Sequence, residues 1–336
     1  MINIGVIGYG YWGPNIVRNI METEGASVSV VCDKNEEAYQ HLKKLHPAVK
    51  CVVDAEQVFI DDHLDAIAII TPVSSHYALA RRALESGKHL FVEKPFTKTS
   101  QQAKTLIKLA REKGLLIMVD HTFVFTGAVK EIKQIIDSGG IGELSYYDST
   151  RVNLGLFQHD VNVIWDLGPH DFSIMDYIVP LKPLALSAHG ISHYEREDED
   201  IAYVTIYFEE KFIAHFSFNW LSPVKIRDVM IGGTTKKILW NDLAIDEKIK
   251  IYDKSVHFGK VSAEQRCELL VDYRVNGMYS PKIPQAEALA SEFAYFVECI
   301  ENSRTPFNDG EAGLRVVQLL EATDRSIKNG GELVNL

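Results

Sequence analysis

Three groups of residues in this 336-residue chain have the types and spacings that chemistry would need. The first is Gly8-x-Gly10-x-x-Gly13, with Tyr11 and Trp12 between its last two glycines. In such a loop the first glycine permits a tight turn. The second lets a pyrophosphate approach the backbone, and the third lets helix and strand pack closely. A helix opening there aims free N–H groups and a partial positive charge at phosphate. Asp33 ends the next apolar run, and a carboxylate at that place accepts hydrogen bonds from the adenosine ribose hydroxyls while repelling a 2′-phosphate. The expected cofactor is therefore NAD rather than NADP, with Lys34 partly offsetting the repulsion. The plainer alternative is a set of glycines that only makes a turn.

The second group lies at two further run ends, Thr71-Pro72 and Glu93-Lys94-Pro95. A lysine in a loop is usually just solvated. An X-Pro bond, however, adopts cis at modest cost, which would let the chain turn sharply and hold the Lys94 ammonium inward to stabilise an alkoxide. The third group is Trp165-Asp166-Leu-Gly-Pro-His170-Asp171. On a helix, Asp166 and His170 share one face and can converge on one substrate oxygen. A histidine of ordinary pKa near 6.5 suits removal of a hydroxyl proton near neutral pH. The alternatives are a structural hydrogen bond at a helix end, or a metal site with His159 and Asp160. No third ligand has convincing spacing, so no metal is expected.

These residues need a scaffold, and the hydrophobic pattern supplies one. Ile2–Ile7, Ala26–Cys32, Asp65–Ile70, His89–Val92 and Leu115–Val119 are apolar runs without polar alternation, divided by helical stretches such as Glu36–Leu45, Tyr77–Glu85 and Ser100–Lys113. That pattern predicts a doubly wound α/β domain around a parallel sheet buried on both faces, with the ligand crevice outside the carboxyl ends of its strands. Beyond about residue 145 the runs alternate. Tyr147, Ser149, Arg151 and Asn153 fall opposite Thr150, Val152 and Leu154, and Ala202–Phe208 and Phe212–Phe218 behave alike. An antiparallel sheet with one buried face follows, closed by helices near Glu287–Glu301 and Gly310–Ser326, so the second domain is α+β.

Composition narrows the partners. With 35 Lys+Arg against 46 Asp+Glu the net charge is −11, which argues against a general nucleic-acid binder and requires local features to hold any anionic ligand. Cys32, Cys51, Cys267 and Cys299 form no C-x-x-C pair, so neither a disulfide framework nor a zinc knuckle is expected. No basic leader opens the chain and no apolar run approaches the ~20 residues that span a bilayer, so a cytoplasmic address without a membrane partner is expected.

The order Gly8-x-Gly-x-x-Gly13, Asp33, Thr71-Pro-x-x-x-His76, Glu93-Lys-Pro95 and Asp166-x-Gly-x-His170 resembles the glucose-fructose oxidoreductase / inositol dehydrogenase (Gfo/Idh/MocA) family across nearly the whole chain. Ile231-Gly-Gly-Thr-Thr and the stretch from Gly313-Leu-Arg-Val-Val to Ser326 extend the likeness into the second half. The resemblance implies a Rossmann domain over 1–122 and, over 123–336, a domain with a large open mixed sheet that binds substrate and builds homodimers or homotetramers. It implies Lys94, Asp166 and His170 as catalytic residues, and Thr71, Pro72, His76, Glu93 and Lys94, with the glycine loop and Asp33, as lining for the dinucleotide. Two departures fall where substrate should sit. Val163-Ile164-Trp165 stands where many members have a glycine pair, and His121-Thr-Phe-Val-Phe125 where many have Asn-Arg or Arg-Arg. Pro169 is also expected to delay or kink the helix.

The activity implied is oxidation of a secondary sugar hydroxyl with hydride transfer to the nicotinamide. His170 would take the proton, and Lys94 and Asp166 would position the oxygen. Tyr-Trp-Gly in the loop and Val-Asn-Val-Ile-Trp-Asp before His170 look like members that serve surface-polysaccharide or amino-sugar synthesis, which favours a sugar nucleotide, with Arg151, Asn153, Trp165 and His170 as substrate contacts. The alternatives are an inositol, polyol or free-sugar dehydrogenase, an imine or enone reductase, and a non-catalytic dinucleotide-binding regulator, which would not require the complete catalytic set.

Overall fold

The apolar runs of the first 120 residues become one six-stranded parallel sheet. Its strands and the helices between them are β1 (Ile2–Ile7), α1 (Gly13–Glu22), β2 (Ala26–Cys32), α2 (Glu36–Leu45), β3 (Lys50–Val52), α3 (Glu56–Phe59), β4 (Ala66–Ile69), α4 (Val73–Glu85), β5 (His89–Glu93), α5 (Ser100–Lys113) and β6 (Ile117–Asp120). The strand order is β3-β2-β1-β4-β5-β6, so its direction reverses between β1 and β4. β4 and β6 are buried at every position, which explains their unbroken hydrophobicity. Helix boundaries follow local chemistry. The Asn35 side chain caps α2, Thr99 caps α5, and Gly114 stops α5 at a φ of 64°, a left-handed position that suits glycine.

The computed structural model describes residues 1–155, 161–194, 198–258 and 271–336. After a short 3-10 turn at Thr122–Phe125, the chain forms α6 (Gly127–Asp137), β7 (Leu144–Leu154), α7 (Val163–Ile178), β8 (Pro183–Ile191), β9 (Ile201–Phe208), β10 (Ile213–Asn219), β11 (Leu221–Gly233), β12 (Lys237–Asn241), β13 (Ile249–Phe258), β14 (Val271–Tyr279), α8 (Ala288–Glu301), α9 (Gly310–Lys328) and β15 (Val334–Asn335). The second sheet has nine strands in the order β14-β13-β12-β11-β7-β10-β9-β8-β15. Only β7 with β10 is parallel, so the sheet is mixed rather than purely antiparallel.

Two compact units result: Met1–Thr126 with Ala286–Glu321, and Gly127–Gln285 with Ala322–Leu336. This differs from a single division after residue 122, because α8 returns to the first sheet. Its Leu289, Phe293, Phe296 and Val297 join the core that holds Ile4, Val6, Ile16 and Phe91, and the Phe91 ring lies 4.6 Å from that of Phe293. Full burial of such side chains contributes roughly 1.5–3 kcal/mol each.

The face of β7 also differs from expectation. Tyr147, Ser149 and Arg151 point inward and are buried, whereas Asp148 is exposed. A charged face can turn inward here because α7 brings it a counter-charge, Asp171.

Candidate active site

At the end of β1, Gly8 has a φ of 101°, and a Cβ there would sit 2.5 Å from the carbonyl oxygen of Ile70. Only glycine fits. A Cβ on Gly10 would meet nothing within 4 Å, so the backbone is open at the place a pyrophosphate must approach. No side chain caps the first turn of α1, whose Pro14 has no N–H to lose. Asp33 is tied to this loop. Its Oδ2 accepts the Tyr9 N–H at 2.6 Å and its Oδ1 the Asn35 N–H at 2.7 Å. Each carboxylate oxygen keeps a second lone pair, so the geometry fits a ribose diol. Tyr11 is 92% exposed, while Trp12 is partly buried and its indole Nε1 donates to Asp120 Oδ2 at 3.3 Å.

The ends of β4 and β5 are braced to one another. The buried His76 ring bridges them, with Nδ1 2.9 Å from the Pro95 carbonyl and Nε2 2.7 Å from that of Thr71. Burial lowers its pKa. His76 was expected to line the dinucleotide, yet it is fully buried and supports the loops from beneath. Thr71 and the exposed Pro72 lie above it, and Thr71 Oγ1 pairs with Ser75 Oγ at 2.6 Å. The Lys94-Pro95 bond is cis, and Glu93 and Lys94 are both half-buried. His121, Val124 and Phe125, in the segment expected to face substrate, are buried. Phe125 packs on Tyr295 and Phe307, which explains why apolar residues stand there.

In the second unit, α7 starts at Val163 and continues through Pro169, so the expected late start is not seen. The Asn162 side chain opens it by accepting the N–H groups of Ile164 at 3.1 Å and Trp165 at 3.0 Å. Asp166 and His170 therefore stand four apart on one helical face, both partly exposed. Trp220, between β10 and β11, donates its indole N–H to Asp166 Oδ2 at 3.2 Å. Trp165 donates to Asp324 Oδ2 at 2.8 Å. Arg151 was expected to meet substrate, but it is 4% exposed and ion-paired with Asp171, which also accepts from Ser149 Oγ at 2.7 Å. Its side chain therefore supports α7 from within. Asn153 is half-buried near the end of β7. His159 and Asp160, weighed above as metal ligands, lie outside the described residues.

Two participants escaped the sequence reading. Nothing local distinguishes Trp220 from an ordinary strand-end aromatic. Asp120 closes β6 as Glu93 closes β5, directly opposite it in register, and that parallel was the available signal.

Comparison with known proteins fits this geometry. A family model described as an oxidoreductase family with an NAD-binding Rossmann fold matches residues 2–121, and one for the GFO/IDH/MocA C-terminal domain matches residues 129–239. The chain is 25% identical to scyllo-inositol 2-dehydrogenase (NAD(+)) of Bacillus subtilis over 98% of its length and 94% of the relative's. It is likewise 25% identical to UDP-N-acetylglucosamine 3-dehydrogenase of Acidithiobacillus ferrooxidans over 93% of both chains. An oxidoreductase from Agrobacterium radiobacter, solved with NAD+, L-tartaric acid and magnesium, shares the fold with a TM-score of 0.83 at 19% identity, over 99% of this chain and 98% of its own. With both halves matched by its models and the glycine loop, Asp33 and α7 arranged as described, the chain belongs to the Gfo/Idh/MocA family of NAD-binding oxidoreductases.

Proposed function

We propose that this protein interconverts a secondary hydroxyl and a ketone on a sugar carried by a nucleotide, using NAD in preference to NADP. The observation that carries the reading is α7, which presents Asp166 and His170 on one partly open face with Asp166 anchored by Trp220. The similarity to a UDP-N-acetylglucosamine dehydrogenase over nearly the full chain supports the substrate class.

The glycine loop and the start of α1 would hold the diphosphate, and Asp33 the adenosine ribose. When bound, the dinucleotide supplies the hydride acceptor or donor. In the oxidising direction the His170 imidazole takes the hydroxyl proton. Lys94 and Asp166 orient the oxygen, and the Lys94 ammonium balances the negative charge that grows on it. Asn153 and Trp165 remain the proposed substrate contacts of the second unit, while Arg151, ion-paired with Asp171, supports α7.

The family's open sheet supports a homodimer or homotetramer. Tyr203, Tyr207, Ile213 and Met230 share one face and are 40–48% exposed, a surface suited to a second copy. Among the described residues no helix is long and apolar enough to cross a membrane, and Cys32, Cys51 and Cys299 are free thiols, which accords with the proposed cytoplasmic address. Sugar nucleotides, free sugars and polyols offered with NAD or NADP, followed by the absorbance of the reduced cofactor, test the reading. Fastest turnover of a sugar nucleotide is expected. Faster turnover of inositol would move the substrate class, and tight dinucleotide binding without any turnover would favour a regulator.

A further inference from the structure

Glu292 on α8 is a carboxyl group sealed from water, with 0% exposure. Its Oε1 accepts from Asn308 Nδ2 at 3.0 Å, and the same amide reaches the Val119 carbonyl of β6 at 2.8 Å. Its Oε2 is buried with no donor in hydrogen-bonding geometry, the hydroxyl hydrogen of nearby Thr122 being given to Asp120 Oδ1. Against it stands Asp120, 1% exposed, which accepts from Thr122 Oγ1 and from Trp12 Nε1. Glu93, opposite Asp120 in the β5–β6 register, adds a third carboxyl.

A carboxylate oxygen buried without a donor is strongly disfavoured. A proton on Oε2 removes the charge and converts the orphaned acceptor into a donor, for which Asp120 is the acceptor at hand. Burial and the negative charges of Asp120 and Glu93 all push Glu292 well above the usual carboxyl range, with the Thr122 hydroxyl opposing them. The neighbouring His121, which burial keeps neutral, feels the charges of both Asp120 and Arg315.

We propose that Glu292 and Asp120 hold one proton between them, and that this pair fixes the Trp12 indole at the start of α1, making Glu292 a positioning residue for the dinucleotide loop. With the proton present, Asp120 is one negative charge facing donors from Glu292, Thr122 and Trp12. Loss of the proton sets two buried anions side by side, and their repulsion displaces the acceptor that Trp12 uses. Loop and helix start then lose their tether. The link to dinucleotide affinity rests on the proposed function; the shared proton does not.

The test is an intrinsic-fluorescence titration of the full chain without ligand, from about pH 4.5, the ordinary glutamate value, up to about pH 9, below the range where tyrosine ionises. A one-proton change in tryptophan emission is expected in the wild type and is lost in Trp12→Phe. It is also lost in Glu292→Gln, whose amide still donates to Asp120 and accepts from Asn308 but does not titrate. Asp120→Asn keeps an acceptor for Trp12, removes the facing charge, and moves the change down by about one pH unit. NAD affinity measured alongside falls about threefold or more across the same transition in the wild type and stays flat in Glu292→Gln. A wild-type emission flat over the range, a transition that survives in Glu292→Gln, or one unshifted in Asp120→Asn overturns the proposal. Failure of the wild type to bind either dinucleotide overturns the functional reading instead, while the emission result still decides whether the proton is shared.

Discussion

The indole N–H of Trp220 donates to Oδ2 of Asp166 at 3.2 Å, so a residue at a strand corner fixes a carboxylate on the helix that presents His170. Trp220 is 1% exposed, and its ring has little freedom to release that bond. Trp220→Phe keeps much of the aromatic bulk and removes the donor. A hydrogen bond to a charged group is worth about 1.5–3 kcal/mol, so kcat/KM is expected to fall roughly 10- to 100-fold. NAD affinity, measured by calorimetry, should not change, and an equal loss in both would place Trp220 in general packing.

Lys94 is half-buried just past β5, and its proposed role is to balance a developing alkoxide. Lys94→Ala is expected to lower turnover by about a hundredfold or more while leaving NAD binding largely intact. Steady-state assays beside a binding titration check this. Near-normal turnover would remove Lys94 from the catalytic set.

Asp33 receives one backbone N–H on each carboxylate oxygen and still bears the charge that disfavours a 2′-phosphate. Asp33→Asn keeps an acceptor and removes that charge. The ratio of kcat/KM for NAD to that for NADP should drop by about tenfold, and an unchanged ratio would mean that discrimination lies elsewhere.

Arg151 and Asp171 form an ion pair in which both side chains are nearly inaccessible, at 4% and 2%. Removing one partner leaves the other charged and buried, so Asp171→Leu is expected to destabilise the chain by about 3–5 kcal/mol in urea unfolding. The double variant Arg151→Met with Asp171→Leu should recover much of that loss. A double variant as unstable as the sum of the two singles would show that the pair itself is not the reason.

His121 is buried and its pKa is lowered to about 4. An unfolded histidine takes a proton near pH 6.5, so between that value and about 4 the unfolded state binds more protons and stability falls as pH falls. The slope for one such group is about 1.4 kcal/mol per pH unit. Glu292 acts in the opposite sense. Its raised pKa means the folded state keeps a proton that the unfolded state releases above about 4.5, so its contribution falls as pH rises. Urea unfolding at several pH values should show the slope of stability against pH lowered by about 1.4 kcal/mol per pH unit in His121→Gln between about pH 4 and 6.5, and raised in Glu292→Gln from about pH 4.5 upward, each relative to the wild type. Parallel profiles for all three proteins would rule out both assignments.

The first sheet was legible because strands such as β4 and β6 are buried at every position and read as unbroken apolar runs, and because glycines and prolines mark strand ends. The proposed catalytic residues stand out for a related reason, Lys94 beside Pro95 and Asp166 and His170 around Pro169. Arg151 was misread because alternation along β7 reveals two faces without saying which is covered, and the partner that covers it, Asp171, is a long-range contact. The return of α8 was hidden in the same way. An amphipathic helix announces that it has a buried face, not which sheet receives it. His76 was misplaced because a motif position gives the residue's neighbourhood and leaves open whether its ring points toward ligand or away.

The placement of α8 has a consequence for biosynthesis. Leu289, Phe293 and Phe296 complete the core around Phe91, yet they are translated only after the second unit between residues 127 and 285. At about 5–20 residues per second, the first sheet emerges from the ribosome roughly ten seconds or more before the helix that covers it. During that interval the apolar surface around Ile4, Val6, Ile16 and Phe91 lacks the helix that covers it, which ties completion of the cofactor domain's core to the last segments of the polypeptide.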